Sequence, residues 1–224
     1  EDPFYKSDEF KKKMEPFQGL YRWVGAINVN RARNLGIQIA KGDVVQLLDD
    51  DCLMLESDFL SRVIDLHEAY ADATAIGGTY APMPKADPID KAYNCVARQW
   101  QELDFFGYYH STRLVGGNVS YKSKKLREAC ERFDESIQFG ATEAEFHLRL
   151  QKKGYQTLYL SSLKVAHKTE LDPRKLVEKA YRQARGHQRF GVEEGFSAKS
   201  YRTFQSTRDL EALRMADSET EYLR

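Results

Sequence analysis

The feature that most constrains this chain is an apolar run that ends in three consecutive acids. Residues 44–48 read Val-Val-Gln-Leu-Leu, and Asp49, Asp50 and Asp51 follow without a break. A mostly apolar run of this length predicts a strand covered on both faces, as in a parallel sheet. Three carboxylates at its end repel one another and lose hydration, a conflict that a bound divalent cation resolves. The alternative is an exposed turn or a cap for the next helix.

Helical and strand-like segments alternate on either side of this run. Further helices are expected over 31–42, 58–70, 89–106, 124–132, 142–153 and 173–190, and further strands over 23–27, 74–80 and 156–160, with strand, glycine turn and strand over 113–121. This pattern predicts an α/β fold with a mainly parallel central sheet flanked by helices and a basic helix towards the C-terminal end.

The bulk composition excludes several classes of protein. With 224 residues, 42% of them hydrophobic, the chain has enough apolar side chains for a sizeable core. The 34 basic and 34 acidic residues cancel, so no overall field attracts nucleic acid or an anionic membrane. No apolar run approaches the roughly 18 residues of a membrane span. We expect a cytoplasmic domain without a transmembrane segment in this chain; membrane association through other segments and homo-oligomerisation stay open.

The three cysteines are uninformative about pairing. Cys52, Cys95 and Cys130 form no CxxC pair and are odd in number. The sequence therefore predicts neither a disulfide framework nor a zinc knuckle, and a reducing compartment fits best.

The order of the motifs resembles that of the family-two glycosyltransferases, which have the GT-A fold. Residues 33–36 (Arg-Asn-Leu-Gly), 40–42 (Ala-Lys-Gly) and 44–51 are similar to the family's ARN-x-G, A-x-G and DxD core. Residues 116–120 (Gly-Gly-Asn-Val-Ser) are similar to its glycine-rich turn beside the transferred sugar, although a plain hairpin turn is the alternative. Glycines at such a turn let the backbone approach a ligand closely.

The resemblance implies a site for a nucleotide-sugar donor and a metal ion. It places Asp49 beside the ribose and sugar of the donor, and Asp51 on a Mn²⁺ or Mg²⁺ ion. The other residues expected to bind the donor or its diphosphate are Arg33, Asn34, Asp50, Gly116, Gly117, Asn118, Arg182 and Arg185. For the two arginines, which lie in a segment similar to the family's closing yryGrg stretch, a solvated basic helix face is the alternative.

The candidate catalytic base is Glu143. Residues 133–135 (Phe-Asp-Glu) and 141–154 resemble the family's FDE and GEDxDLxxRLxxxG motifs, with Thr142-Glu143 where relatives carry Glu-Asp. An acid at a helix start is favoured by the helix dipole, and one within about 3 Å of an acceptor hydroxyl can take its proton. The alternative is an ordinary acidic helix start. Glu145 and Trp100 are the candidate acceptor-binding residues.

A second metal ligand is expected at His167. Residues 165–168 (Val-Ala-His-Lys) resemble the segment in which many relatives carry a histidine near the metal or the diphosphate. A neutral imidazole can ligate a divalent ion, and a protonated one can pair with phosphate. A purely structural histidine is the alternative.

These predictions combine into one domain and one reaction. Residues 1–195 would form a single GT-A-like domain, with a donor and metal half at 28–80 and an acceptor half at 81–195, followed by a charged tail at 196–224. A small acceptor-side region is expected at about 81–121. The expected reaction is metal-assisted transfer of a sugar, with inversion, from a nucleotide-diphosphate sugar to a hydroxyl of a carbohydrate or glycoconjugate.

Two other functions stay open. A non-catalytic sugar- or nucleotide-binding module is favoured by the short stretch before residue 33, where relatives carry a βαβ unit, and by the Thr142-Glu143 departure. A nucleotidyltransferase also places carboxylates and a metal at strand ends, but it would need a glycine- and lysine-rich phosphate loop near the N-terminus, and the sequence has none there.

Overall fold

The computed structural model describes residues 8, 9, 12, 28–102, 113–137, 140–169 and 171–193. The predicted strand at 23–27 and the tail at 196–224 lie outside the described residues. The elements that position the site are α1 (Val29–Ile39), β1 (Val44–Leu48), β2 (Cys52–Met54), α2 (Phe59–Ala69), β3 (Ala73–Pro82), α3 (Pro88–Glu102), β4 (Asn118–Lys122), α4 (Ser123–Ala129), α5 (Thr142–Lys152), β5 (Gln156–His167) and α6 (Pro173–Glu193). Within this part of the chain, no helix combines the length and apolarity that a membrane crossing requires.

The sheet is mixed, so the prediction of a mainly parallel sheet is not confirmed. Its strand order is β1-β4-β3-β5-β2. Of the four strand pairs described, β3 with β5 is parallel, whereas β1 with β4, β3 with β4, and β2 with β5 are antiparallel. An apolar run predicts that a strand is covered on both faces, but such cover does not depend on whether the neighbouring strands are parallel or antiparallel.

Of the hairpin predicted at 113–121, only the second strand is present, as β4. Residues 113–115 are irregular, so the first half of the predicted hairpin at 113–121 is absent. The glycine turn that follows is closed by a 3.0 Å hydrogen bond from the Asn118 amide to the Val115 carbonyl. β4 then enters between β1 and β3, with Leu48 opposite Asn118 and Gly77 opposite Val119. The glycine turn therefore lies beside the acids that end β1.

Helix α5 covers one face of the sheet. Its residues Phe146 and Leu150, one helical turn apart, are fully buried and pack in one cluster with Val119 and Tyr121 of β4. Burial of each such side chain contributes roughly 1.5–3 kcal/mol. The same packing fixes the start of α5, and with it Glu143, at the edge of the sheet.

Helix α2 covers the other face. Phe59 and Val63, again one turn apart, pack with Ile76 of β3 and with Leu163 and Val165 of β5. β5 is longer than the predicted strand at 156–160, because burial of its second half between β3 and β2 continues the sheet to His167. This extension carries His167 to the same edge of the sheet as the acids.

Helix α1 is tied to the segment that precedes α5. Asn28 caps α1 by accepting a hydrogen bond from the Arg31 amide at 2.9 Å. Asn30, fully buried, donates to the carbonyls of Asp134 at 2.7 Å and Ile137 at 3.1 Å. These contacts hold α1, which carries Arg33, close to the start of α5.

A buried histidine makes the stability of this fold depend on pH. Ser120 donates its hydroxyl to the Ile76 carbonyl, so the His67 Nε2 atom, 2.9 Å from the Ser120 oxygen, is the donor of that bond. His67 Nδ1 is buried and has no hydrogen-bond partner among the described residues. Burial, and then the nearby Lys122 charge, lower the pKa of His67 to about 4.

We predict that stability falls as the pH is lowered from about 6.5 towards 4. In that window the unfolded chain binds a proton at His67 that the folded chain does not, which costs about 2 kcal/mol between pH 7.5 and 5. His67→Gln keeps a donor for Ser120 and removes the titration, so its unfolding free energy should change less over this range. Chemical unfolding at several pH values measures this, and equal pH dependence in both proteins would contradict it.

Candidate active site and metal centre

A cleft of about 790 Å³ opens at the edge where β1, β3 and β5 end and β4 begins. Its walls come from α1, the acids at 49–51, the segment at 113–116, the start of α5 and the inner face of α6. Side chains from distant parts of the sequence therefore meet in one concave surface, which is where ligands collect in open α/β sheets.

Arg33 joins the two acidic sides of this cleft. Its guanidinium lies 2.7 Å from Glu143 Oε1 and 3.6 Å from Asp49 Oδ1, and its side chain is only 10% exposed. Burial alone would lower the pKa of Arg33, but the charges of Glu143 and Asp49 outweigh it and raise the pKa above its ordinary value. Arg33 is thus a permanent cation held between the two carboxylates.

Glu143 is ionised and oriented at the first turn of α5. Its Oε2 atom accepts a 2.5 Å hydrogen bond from the Thr142 hydroxyl, and its side chain stays 25% exposed to the cleft. Burial would raise the pKa of Glu143, but the Arg33 charge and the Thr142 hydrogen bond lower it below its ordinary value. The helix start favours the same charge.

Tyr80 holds the carboxylate of Asp49 in place through a hydrogen bond. Its hydroxyl donates to Asp49 Oδ2 at 3.1 Å and accepts from the Gly117 amide at 2.9 Å. Burial, and then the Asp49 charge, raise the pKa of Tyr80 well above its ordinary value, so the hydroxyl remains a donor. The ring stacks on His167, with centroids 4.3 Å apart. Tyr80 therefore positions Asp49, the glycine turn and His167 together.

Two glycines are required by how closely the backbone passes these side chains. A Cβ on Gly116 would lie under 3.0 Å from the Arg33 guanidinium and the Glu143 carboxylate. A Cβ on Gly117 would lie under 3.0 Å from the Asp49 carboxylate and the Tyr80 hydroxyl. The glycine turn is therefore part of the wall of the site.

Asp51 and His167 face each other at the mouth of the cleft. His167 Nε2 lies 3.4 Å from Asp51 Oδ1, and a ligand atom from each of Asp51, His167 and Cys52 lies within 4.8 Å of the others. His167 Nδ1 is buried without a hydrogen-bond partner among the described residues. Burial lowers the pKa of His167 although Asp51 opposes this, so the ring is neutral, the form that ligates metals. These residues fit a divalent cation.

The comparison with known sequences agrees with this arrangement. The profile named Glycosyl transferase family 2 matches residues 23–129, which include β1, the acids and β4. This chain is related to the family-2 glycosyltransferases. The resemblance inferred from the sequence motifs is thus confirmed.

A curated relative of the family is a glucosyl-dolichyl phosphate glucuronosyltransferase of Haloferax volcanii. It is 28% identical, and the match covers 62% of this chain and 47% of that protein. The chain therefore spans about half the length of this curated relative.

Solved structures of glycosyltransferases share the fold. One is the mannosyltransferase PcManGT of Pyrobaculum calidifontis in complex with GDP-Man and Mn²⁺, with a TM-score of 0.58 and 13% identity, covering 92% of this chain and 57% of that one. Another is GalNAc-T7 with UDP, GalNAc and Mn²⁺, with a TM-score of 0.55 and 17% identity, covering 75% of this chain and 36% of that one. The expected GT-A-like α/β fold is confirmed.

Two asparagines expected at the donor instead hold the scaffold together. Asn34 exchanges hydrogen bonds of 2.9 Å with the backbone of Phe133 and donates to Glu135 at 3.0 Å. Asn118, buried, donates to the carbonyls of Thr79 and Leu163 at 3.1 and 3.0 Å and so bridges β3 and β5. Their side-chain amides are engaged in these contacts and neither residue lines the cleft, so the structure does not support their predicted role at the donor.

The two arginines of α6 predicted at the diphosphate lie on the helix face that points away from the cleft. Arg182 and Arg185 are exposed and do not line the cleft, and Arg185 lies over the Tyr181 ring at 5.9 Å. The residues of α6 that do line it are Lys179 and Gln183, spaced one turn apart. This placement agrees with the alternative given for the two arginines, a solvated basic helix face.

The acceptor-side predictions fare unevenly. Glu145 is paired with Arg149 and lies outside the cleft lining, so a role in acceptor binding is not supported. The side chain of Trp100 lies outside the described part of the chain.

Tyr93 of α3 lines the cleft although the sequence motifs do not predict it there. Lys179 Nζ lies 4.4 Å from its ring centroid, and Gln183 donates to its hydroxyl at 3.3 Å.

We predict opposite effects for two glycine-to-alanine changes. Gly117→Ala forces a methyl group against Asp49 and Tyr80, which should cost about 1–3 kcal/mol of stability and disturb the cleft. Gly36→Ala is the matched control, because its Cβ meets nothing within 4 Å in α1, and it should stabilise by about 1 kcal/mol. Denaturant unfolding of both variants tests this, and a neutral Gly117→Ala would contradict the close packing.

Proposed function

We propose that the cleft transfers a sugar, with inversion, from a nucleotide-diphosphate sugar to a hydroxyl of a carbohydrate or glycoconjugate acceptor. The observation that carries the proposal is the Arg33 bridge between Asp49 and Glu143. It sets a carboxylate at the predicted donor position and a carboxylate at the predicted base position on opposite sides of one cation. The family-2 relationship and the likeness to nucleotide-sugar transferases support the same reaction class.

The donor would lie over the carboxyl end of β1. Tyr80 and Arg33 contact Asp49 from two sides and so restrict its carboxylate to one orientation. The glycine turn packs directly against Asp49 and Tyr80, so it would form the wall of the donor site beside them. Asp50 and Lys179 also line the cleft, and Lys179 supplies a cation for the diphosphate.

Asp51 and His167 are the residues that would hold Mn²⁺ or Mg²⁺. When bound there, such an ion neutralises the charge that develops on the leaving diphosphate. Both solved neighbours named above were determined with Mn²⁺, which supports a divalent ion in this fold.

Glu143 would act as the general base. The acceptor oxygen attacks the anomeric carbon from the face opposite the diphosphate, the carbon–oxygen bond to the diphosphate breaks, and the acceptor proton passes to Glu143. Arg33 and Thr142 each occupy one lone pair of its carboxylate, and each oxygen keeps a second one for the acceptor. The exposed quarter of the side chain provides the access.

The acceptor class is the least constrained part of the proposal. The Haloferax relative is named for a glucosyl-dolichyl phosphate acceptor, so a lipid-linked sugar is the first class to test. The alternative is a binding module that takes up a nucleotide or a sugar without transfer, and the following experiment separates the two.

We predict that two charge-removing variants separate binding from chemistry. Asp51→Asn should abolish metal-dependent binding of a nucleoside diphosphate, measured by calorimetry with UDP and GDP, with and without Mn²⁺. Glu143→Gln should keep that binding and lose about 10²–10⁴-fold in turnover. Asp65→Asn, which removes an exposed carboxylate of α2, is the control and should change neither.

The outcomes decide between the two functions. Unchanged turnover in Glu143→Gln would refute the proposed base. Metal-dependent nucleotide binding without transfer to any acceptor tested would instead establish the binding module.

We further predict that Thr142 sets the acid limb of the pH profile of kcat/KM. Removal of its hydrogen bond raises the pKa of Glu143, so Thr142→Val should lose activity at a higher pH on the acid side than the wild type does. Thr142→Ser keeps the hydroxyl and should retain the wild-type profile. Superimposable profiles for the valine variant and the wild type would show that this hydrogen bond does not tune the base.

A further inference from the structure

We propose that Cys52 is a third protein ligand of the metal centre, which gives the site an oxygen, a nitrogen and a sulfur donor. Such a set favours Mn²⁺, Co²⁺ and Zn²⁺ over Mg²⁺. The inference rests on the proposed function only in that it concerns the same metal ion, and it adds a ligand that the motif resemblance does not include.

The strand register places Cys52 beside His167. β2 and β5 are antiparallel, and Cys52 lies directly opposite His167 in that pair. Side chains directly opposite in an antiparallel pair project from the same face of the sheet, with Cβ atoms about 4.5–5.5 Å apart. Asp51 precedes Cys52 in the chain, and its carboxylate lies 3.4 Å from His167.

The backbone around the three residues is anchored at two points. The Cys52 amide donates to the Asp49 carbonyl at 3.1 Å, and the Lys168 amide donates to the Asp51 carbonyl at 3.0 Å. The His167 ring is held flat against Tyr80. The three donor groups are therefore already gathered, which is what tight metal binding requires.

The spacing suits one ion. With metal–sulfur bonds of about 2.3 Å and metal–nitrogen or –oxygen bonds of about 2.0–2.2 Å, neighbouring ligand atoms on one ion lie roughly 3–4 Å apart. The donor atoms of Asp51, Cys52 and His167 all lie within 4.8 Å of one another, so side-chain rotations that move them by about 1 Å bring them onto a common ion.

The chemistry of the cysteine agrees with this role. Cys52 is a free, half-buried thiol that is not used in a disulfide. A coordinating thiol gives up its proton to solvent as the metal–sulfur bond forms. Mg²⁺ prefers oxygen ligands alone, so the sulfur contributes little to Mg²⁺ binding and much to the binding of softer ions.

Cobalt spectroscopy tests the assignment without any transfer assay. The full chain is titrated with Co²⁺, alone and with UDP or GDP, and the near-ultraviolet thiolate-to-cobalt charge-transfer band is recorded. We expect the band in the wild type and in Cys130→Ser, whose exposed thiol is remote from the site, and its loss in Cys52→Ser. Calorimetry should show Co²⁺ affinity at least 10-fold weaker in Cys52→Ser, with Mg²⁺ affinity unchanged.

Several results would overturn the proposal. They are a saturated wild-type complex without the band, no Co²⁺ binding under any of these conditions, or a band that persists in Cys52→Ser. Alkylation with iodoacetamide, mapped by mass spectrometry, gives a second measurement: Co²⁺ should protect Cys52 and leave Cys130 reactive. Equal reactivity of Cys52 with and without the ion also contradicts the assignment.

The result is separable from that of the proposed function. A chain that shows the charge-transfer band but transfers no sugar retains the metal assignment and loses the transferase proposal. A chain that transfers sugar and shows no band retains the transferase and loses Cys52 as a ligand.

Discussion

The repulsion among carboxylates at the end of β1 is the constraint on which the rest of the structure depends. Asp49 and Glu143 approach each other only because the buried Arg33 guanidinium lies between them. A buried cation with one partner would be poorly compensated, whereas two carboxylates and a tyrosine hydroxyl distribute the charge over several contacts. Asp51 instead faces His167, and the divalent ion proposed for this site would supply its counter-charge.

That arrangement requires the mixed topology of the sheet. β4 enters antiparallel between β1 and β3, so its preceding glycine turn passes directly beside Asp49. A parallel neighbour would present a strand end there, and a turn with side chains would displace Arg33 or Tyr80. The predicted halves at 28–80 and 81–195 accordingly share one sheet, in which β4 and β5 of the second half lie on either side of the central β3.

Local patterns in the sequence predict what depends on neighbouring residues. The strand β1, the acids that follow it and the helix start that carries Glu143 follow from the local hydrophobic pattern. The partners of a polar side chain depend on which distant segments meet. The sequence motifs therefore predict Asn34 and Asn118 at the nucleotide-sugar donor, although their side-chain amides donate to backbone carbonyls. The role of Tyr80 is not predicted from the sequence for the same reason, since only the packed sheet brings this tyrosine of β3 into contact with Asp49.

The departure from the family motif at residue 142 follows from the same charge balance. The motif that this segment resembles has an acid at that position, and an acid there would add a negative charge next to Glu143 and raise its pKa. In this chain Arg33 is already shared by two carboxylates, with a side chain too buried for water to screen a third. Thr142 instead donates to Glu143, which stabilises its ionised form. The substitution therefore preserves an ionised, oriented carboxylate at the start of α5, the property that a general base at this position requires.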